Sequence, residues 1–338
     1  MIMKRFKKIC SMQALFFISV LIICSAACSA ALAGAALDVD GNGTVDGATD
    51  ALLVNRYVHG FRGASLIAGA VGSGCTRCSA LDIETYLAAM VASGDGGDTY
   101  TNGLGMTFKN IPAGTFMMGS PAHELGRSSD ENQHQVTLTK SFYIQTTEVT
   151  QAQWTSVMGS NPSDFTACGN NCPVESVSWN DVQDFITKMN LRGEGTYRLP
   201  TEAEWEYSAR AGSTTAFTNG GITNTSCDTL DSNLNIIGWY CGNANSTVHT
   251  VSQKQANAWG LYDMHGNVWE WCQDWYGTYP ADAVSDPAGP FAGEYRVKRG
   301  GSWYGAAQYC RSADRGSRYP SGGSYSIGFR LVLSQVSR

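Results

Sequence analysis

Apolar positions along this chain follow three successive patterns. An unbroken apolar run, "ALFFISVLIIC" from Ala14 to Cys24, follows the basic start "MIMKRFKK". Between residues 34 and 93 an Asp/Gly-rich stretch leads into an apolar helix pattern at Leu52, Leu53, Val54, Tyr57 and Val58. From residue 104 to 338 short apolar runs alternate with clusters of Gly, Asn, Ser and Pro, as in short strands joined by turns. Two helices interrupt that pattern. In "SVSWNDVQDFITKMN", Ser178 and Asp181 precede Val182, Phe185 and Ile186 at helical spacing, a capping-box arrangement. In "RLPTEAEWEYSARAG", Thr201 and Glu204 form a T-x-x-E box and Gly212 suits the position just past the end. Residues 94–103, "GDGGDTYTNG", have no apolar period and read as a linker. The expected class is a loop-rich α+β domain with two main helices, preceded by a small helical module.

Composition supports this division. Hydrophobic residues make up 43%, enough for a sizeable core, whereas charged residues are only 15% against roughly 25% in ordinary domains. The 38 Gly favour many turns over long helices. A net charge of −6 argues against nucleic acid as the main partner. The run from Ala14 to Cys24 is too short to span a bilayer, which takes about 20 residues. With the basic start and the small residues up to Ala33, it reads as an export signal over residues 1–33, giving a secreted or cell-surface protein. Lipid attachment at Cys28 in "SAAC" is the alternative and the one membrane contact expected, although Leu is missing three places before the Cys. Removing the signal leaves eight Cys, an even number suited to an oxidising compartment. Cys75/Cys78 and Cys168/Cys172 are local pairs, with Cys227/Cys241 and Cys272/Cys310 as the remaining guesses. Zinc is disfavoured because the C-x2-C at Cys75 has no second ligand pair.

The small module opens with "DVDGNGTVDGATD". Asp38, Asp40 and Asn42 alternate, Gly43 sits at the sharp turn, Thr44 offers a carbonyl, and Asp46 and Asp50 add oxygens. This is the spacing of an EF-hand-type calcium loop; an Asp/Gly turn without metal is the alternative. The segment resembles the first half of a dockerin-type module. It departs from that pattern at Thr49, where the closing acid is expected one place before Asp50, and in its second half, where no calcium loop is recognisable. The missing half weighs against the cohesin partner that the resemblance implies.

In the large domain, "IPAGTFMMGS", "FYIQTTEVTQAQW", "PVESVSWNDVQDF", "YRLPTEAEWEYSARAG", "WGLYDMHGNVWEWCQDWY", "RVKRGGSW" and "GFRLV" follow one another between Ile111 and Val332. In this order they resemble the formylglycine-generating-enzyme family, also called the sulfatase-modifying-factor domain. The resemblance implies a loop-rich variant of the C-type-lectin fold. It also implies a calcium ion held by the Asp263 and Glu270 side chains and the backbone carbonyls of Gly266 and Val268, an oxygen-only set as calcium prefers. His265 reads as a surface or satisfied histidine. Arg198, Arg210 and the acids from Glu202 to Glu206 read as structural pairs.

Catalysis in the resembling enzymes oxidises a sulfatase cysteine, using copper held by a C-x4-C pair just after G-G-S. Here Gly300, Gly301 and Ser302 are followed by Gly305 and Cys310 at those two places, so one thiolate of the Cu(I) pair is missing. "CRSADR" also allows Cys310 to align with a later, structural cysteine. Oxidase activity, through Cys310 and Ser302, is therefore the alternative reading. The iron-dependent sulfoxide synthases of the same fold need an added helical domain with paired histidines; His59, His123, His134, His249 and His265 form no such pair.

The tail suggests binding instead. Of the 25 residues from Trp303 to Ile327, 13 are Tyr, Ser or Gly, the composition of antibody-like contact loops. Asn is absent there, although 15 occur between Gly103 and Arg299; it is in fact absent from Val268 onward. Asn codons mutated at their two adenines yield Tyr, Ser, Gly, Asp and Ala among others. Residues of that kind (Tyr304, Gly305, Ala306, Tyr309, Asp314, Gly316, Ser317, Tyr319, Ser321 to Ser324, Tyr325 and Ser326) lie between fixed-looking Trp303, Arg311, Ala313, Arg315, Pro320 and Gly328 to Arg330. The pattern is similar to the C-terminal variable regions of proteins diversified by retroelements. The expected contact residues for a protein or glycan ligand are Trp303, Tyr304, Tyr309, Asp314, Tyr319 and Tyr325. An ordinary solvent-facing loop is the plainer alternative.

Overall fold

The computed structural model describes residues 39, 49–50, 52–53, 56, 64–71, 74–84 and 99–336. The export signal, Cys28, and the loop residues Asp38, Asp40, Asn42, Thr44 and Asp46 lie outside them. The chain divides into two compact units, residues 1–98 and 99–338. In the first, the helix α1 (Ala64–Ile67) contributes Leu66 to a small core with Val39, Leu53, Ala70 and Ile83. Asp50 accepts a hydrogen bond from the Val39 N–H at 2.7 Å, and Cys75 and Cys78 form a disulfide.

The second unit begins earlier than residue 104. Thr99–Thr101 of the expected linker form strand β1, antiparallel to β2 (Thr107–Ile111). Asn102 closes the turn: its Oδ1 accepts the Leu104 and Met106 N–H groups and its amide donates to the Tyr197 hydroxyl. An Asx turn buried in this way needs no apolar period, which is why composition read it as a linker.

The main sheet runs β1-β2-β5-β12-β6, with β5 (Phe142–Gln145), β6 (Gly195–Arg198) and the C-terminal β12 (Val332–Val336). All its pairs are antiparallel. A second sheet runs β10-β9-β7-β11, from β7 (Trp269–Trp275), β9 (Arg296–Arg299), β10 (Gly316–Arg318) and β11 (Ile327–Gly328). A third joins β3 (Gly114–Met118), β4 (His134–Leu138) and β8 (Val284–Ser285).

Two helices were expected; a third, α2 (Gln151–Met158), precedes them. It has its own capping box, Thr150 with Gln153. The helix α3 (Trp179–Asn190) is capped by Ser178 and Asp181 as its sequence predicts. It buries Val182, Phe185, Ile186 and Met189, and Phe185 stacks on Trp154 of α2 at 5.1 Å. Each such side chain contributes about 2–3 kcal/mol by leaving water.

The helix α4 (Glu202–Arg210) starts at the Thr201–Glu204 box and ends with Ala211 in the left-handed region at φ 45°. Gly212 follows at φ 89°, where glycine avoids a steric penalty. Every residue of α4 is buried, four of them charged, so its charges need partners inside the protein. Glu204 pairs with Arg198 at 2.6 Å, and Glu206 with Arg210 and Arg299. Glu202 pairs with Arg299 and Arg315, which joins the helix to the C-terminal segment. A short helix, α5 (Leu234–Ile237), lies further along the chain.

Candidate functional site

The tail from Trp303 to Ile327 threads in and out of the molecule. Cys310, Arg311, Ser312, Ala313, Asp314 and Arg315 are buried. Tyr304 is 65% exposed, Tyr319 50%, and Tyr309 and Tyr325 42% each. Every position read as interchangeable is at least partly exposed, with the single exception of Asp314; every position read as fixed is buried, Pro320 excepted. Trp303 and Asp314 therefore depart from the expected contact set. Trp303 is 6% exposed and packs edge-on against Phe165 at 5.1 Å. Its indole donates to the Tyr325 carbonyl at 3.3 Å, and the Tyr304 and Tyr325 rings lie 5.4 and 5.7 Å from it. It thus holds the two exposed tyrosines in place from beneath.

Asp314 lies 3.4 Å from Arg311, and its Oδ2 is buried without a hydrogen-bond partner. Burial raises its pKa to about 8, with the Arg311 charge opposing and Glu131 reinforcing. It belongs to the frame. Tyr319 forms a second exposed cluster: its ring lies 4.5 Å from Tyr295, its hydroxyl accepts from Tyr295 and donates to Glu294 at 3.2 Å. Tyr295 and Phe165 escaped the sequence reading because they stand outside the tail.

Four buried arginines fix this segment to distant parts of the chain. Arg299 donates to Glu202 and Glu206. Arg311 forks onto both oxygens of Glu131 and also reaches Glu124. Arg315 forks onto Glu202 and lies over the Tyr279 ring. Arg330 forks onto Glu270 at 2.7 Å from each oxygen. Planar guanidinium–carboxylate pairs of this kind are among the more rigid polar contacts available.

The expected calcium segment contains the most unbalanced charge. Glu270 takes Arg330 on both oxygens and the Trp205 indole N–H at 2.8 Å, so its acceptors are engaged. Asp263, at φ 58°, accepts the Ser252 N–H with Oδ2, while Oδ1 is buried and unpartnered. Beside it lies Glu148, fully buried with neither oxygen hydrogen-bonded. Burial, then the charges of Asp263 and Glu270, push the Glu148 carboxyl well above the usual range. Burial likewise raises Asp263 to about 6. These oxygens suit a hard cation. The sequence signal for Glu148 was a lone acid in the apolar strand context "FYIQTTEV". His265 is a satisfied core histidine: Nδ1 meets the Cys310 carbonyl at 2.8 Å, and burial lowers its pKa to about 4.

Disulfides join Cys168 to Cys172 and Cys227 to Cys241, as paired in the sequence reading. The guess joining Cys272 to Cys310 fails: both are free and buried, in separate core clusters. Burial pushes both thiols far above their ordinary pKa. Cys310 packs so tightly on Gly301 that a Cβ there would sit 2.5 Å from its Sγ. Ser302 is also buried. A copper ion needs two accessible thiolates, and the residues around Cys310 do not fit one.

The architecture and the alternation of buried and exposed tail residues define a C-type-lectin-like domain presenting its C-terminal segment at the surface. The sulfatase-modifying factor enzyme 1-like domain matches residues 104–335, and the chain belongs to that family. The chaperone protein LppX of Paenibacillus barcinonensis is 32% identical over 258 residues, covering 61% of this chain and 84% of that protein. The formylglycine-generating enzyme of Streptomyces coelicolor is 38% identical over 193 residues, covering 54% of this chain and 58% of that enzyme's length. The solved structure of Treponema denticola variable protein 1 aligns with a TM-score of 0.61 at 32% identity, covering 70% of this chain and 98% of that one. Relatives named as a chaperone, an enzyme and a variable protein share one fold, so function has to be argued from the site.

Proposed function

We propose that this protein is an exported ligand-binding or display protein whose tail contacts a protein or glycan partner. The observation carrying this reading is the separation within one segment: Tyr304, Tyr309, Tyr319 and Tyr325 face solvent while Arg311 and Arg315 between them are locked inside. Exposed tyrosines on a rigid support give contact area at small entropic cost. Three disulfides are in keeping with export, and among the described residues no helix is long and apolar enough to cross a membrane. Similarity to Treponema denticola variable protein 1 supports diversification of the tail. Its test is the neighbouring DNA: a reverse transcriptase and a near-copy of the tail with adenines at the exposed positions are expected, and their absence contradicts diversification.

Calcium is proposed as a structural ion. Glu148 and Asp263 supply its anionic oxygens, with carbonyls of Gly266 and Val268 as neutral ligands and Glu270 holding Arg330 alongside. Among the described residues no three carboxylate, His or Cys side chains converge as ligands, so backbone oxygens have to complete the shell.

The similarity to formylglycine-generating enzymes keeps one second reading, an oxidase acting on sulfatase cysteines. Gly305 and the buried Cys310 count against it. Incubating the protein and copper with a C-x-P-x-R peptide decides: unmodified peptide is expected, and formylglycine overturns the binding-only account.

A further inference from the structure

β10 is the edge strand of the second sheet, and its register on β9 sets Arg318 directly opposite Arg296 and Gly316 opposite Lys298. Like charges facing each other across strands are unfavourable unless something compensates. Nothing does so directly: among the described residues no carboxylate lies within ion-pair distance of Arg296, Lys298 or Arg318. By contrast Arg299, Arg311, Arg315 and Arg330 all hold carboxylates. The three cations are instead propped by rings and carbonyls. The Arg296 guanidinium lies between Trp179 and Trp275, at 3.8 and 3.5 Å from their ring centroids, and its Nε is buried without an acceptor. The Lys298 ammonium sits 3.4 Å over the Trp269 ring. Arg318 is exposed and donates one hydrogen bond, to the Gly322 carbonyl. Burial and the nearby Arg318 charge lower Lys298 to about 8, with the buried Asp314 opposing. The Tyr319–Tyr295 pair flanks this strip, Tyr295 preceding Arg296 and Tyr319 following Arg318 in the chain.

We infer that this strip binds an extended acidic peptide segment of a partner protein, lying along the β10 edge with carboxylates at alternate residues. The geometry follows from strand spacing. Arg296 and Lys298 stand about 7 Å apart on one face of β9, as do alternate side chains of an extended peptide, and Lys298 reaches across β10 at Gly316, where a Cβ would sit 2.7 Å from its Nζ. An edge strand offers the peptide backbone hydrogen bonds, while the side chains select for charge. On a chain of net charge −6, a local cluster of unpaired cations favours an acidic partner over a basic one. This inference rests on reading the tail as a contact surface, and it names the chemistry of one part of that surface.

The test uses the full chain and a fluorescein-labelled peptide of four Glu-Ser repeats, followed by anisotropy at low salt. Saturable binding that weakens with added salt is expected, with no binding of the matching Gln-Ser peptide. Exposed Arg318→Gln is expected to weaken binding about tenfold at an unchanged melting temperature, and Lys298→Gln to weaken it similarly, compared at a temperature well below the melting point of each variant because Lys298 also packs on Trp269. Tyr304→Ser is expected to leave it intact, which separates this site from the Tyr304–Tyr325 cluster. Three results overturn the inference: no saturable binding, equal binding of the Gln-Ser peptide, or unaltered affinity in both variants. Heparin binding at the strip while the acidic peptide fails also overturns it, by assigning the site to a sulfated glycan. Failure here leaves the wider contact-surface reading to be judged on Tyr304 and Tyr325.

Discussion

Arg311 and Tyr309 are two residues apart, yet they belong to different regimes. Arg311 is fully buried and grips Glu131 and Glu124, far back in the chain; Tyr309 is 42% exposed. The same contrast recurs at Arg315 and Tyr319, and at Arg330 and Tyr325. The inward arginines hold fixed carboxylate partners, whereas Tyr304 and Tyr325 rest on the buried Trp303 ring and Tyr319 lies beside Tyr295. Such a segment separates folding from recognition. The buried pairs set where the backbone goes, so the exposed side chains can change with little effect on the fold.

The contrast is broken most forcefully from the buried side. Arg330→Met leaves Glu270 uncompensated next to Glu148 and Asp263, and is expected to cost about 3–5 kcal/mol in urea denaturation. A cost below about 1 kcal/mol would mean that the frame is not what holds the tail. Calcium removal comes next. A chelator is expected to lower the melting temperature by several degrees, on the order of 2–3 kcal/mol if the ion is near saturation. Glu148→Gln is expected to blunt that response. A melting temperature indifferent to chelator would mean that Glu148 is kept neutral by a proton.

Asp314 gives a smaller, pH-dependent effect. Its folded pKa of about 8 lies above the ordinary 3.8, so the folded state holds this proton more tightly than the unfolded chain. Its contribution to stability is fully present below about pH 4 and is lost as pH rises through 8. The melting temperature is expected to fall between pH 6 and 9, and to fall less in Asp314→Asn, by on the order of 1–2 kcal/mol. A profile identical to the parent would place Asp314 among the exposed positions after all. The smallest effect is expected on the outer face: Tyr304→Ser and Tyr319→Ser are each expected to change stability by about 0.5 kcal/mol or less.

Much of this contrast was legible in the sequence. The capping boxes at Ser178 and Thr201 and the motif order specify the fold because caps and buried aromatic runs are local signals. Which tail positions face outward was also legible, since Tyr, Ser and Gly cluster where packing does not dictate the residue. Asp314 escaped because an acid in a Ser/Gly-rich stretch reads as solvated, and only the fold brings Arg311 and Glu131 around it. Glu148 and the Arg296–Arg318 pairing were equally hidden: both arise from strand register and long-range packing, which one sequence does not state. Strand β1 was hidden within the expected linker because its signal is short: Tyr100 alone packs on the core, beside Phe108, and Asn102 closes the turn that follows.

The central claim is that an invariant frame carries a replaceable face. A library randomised together at Tyr304, Tyr309, Ser317, Tyr319 and Tyr325, displayed and scored for protease resistance, tests it directly. Most clones are expected to resist as the parent does, whereas a matched library at Arg311, Asp314, Arg315 and Arg330 is expected to lose resistance almost throughout. Comparable losses in the two libraries would contradict the account.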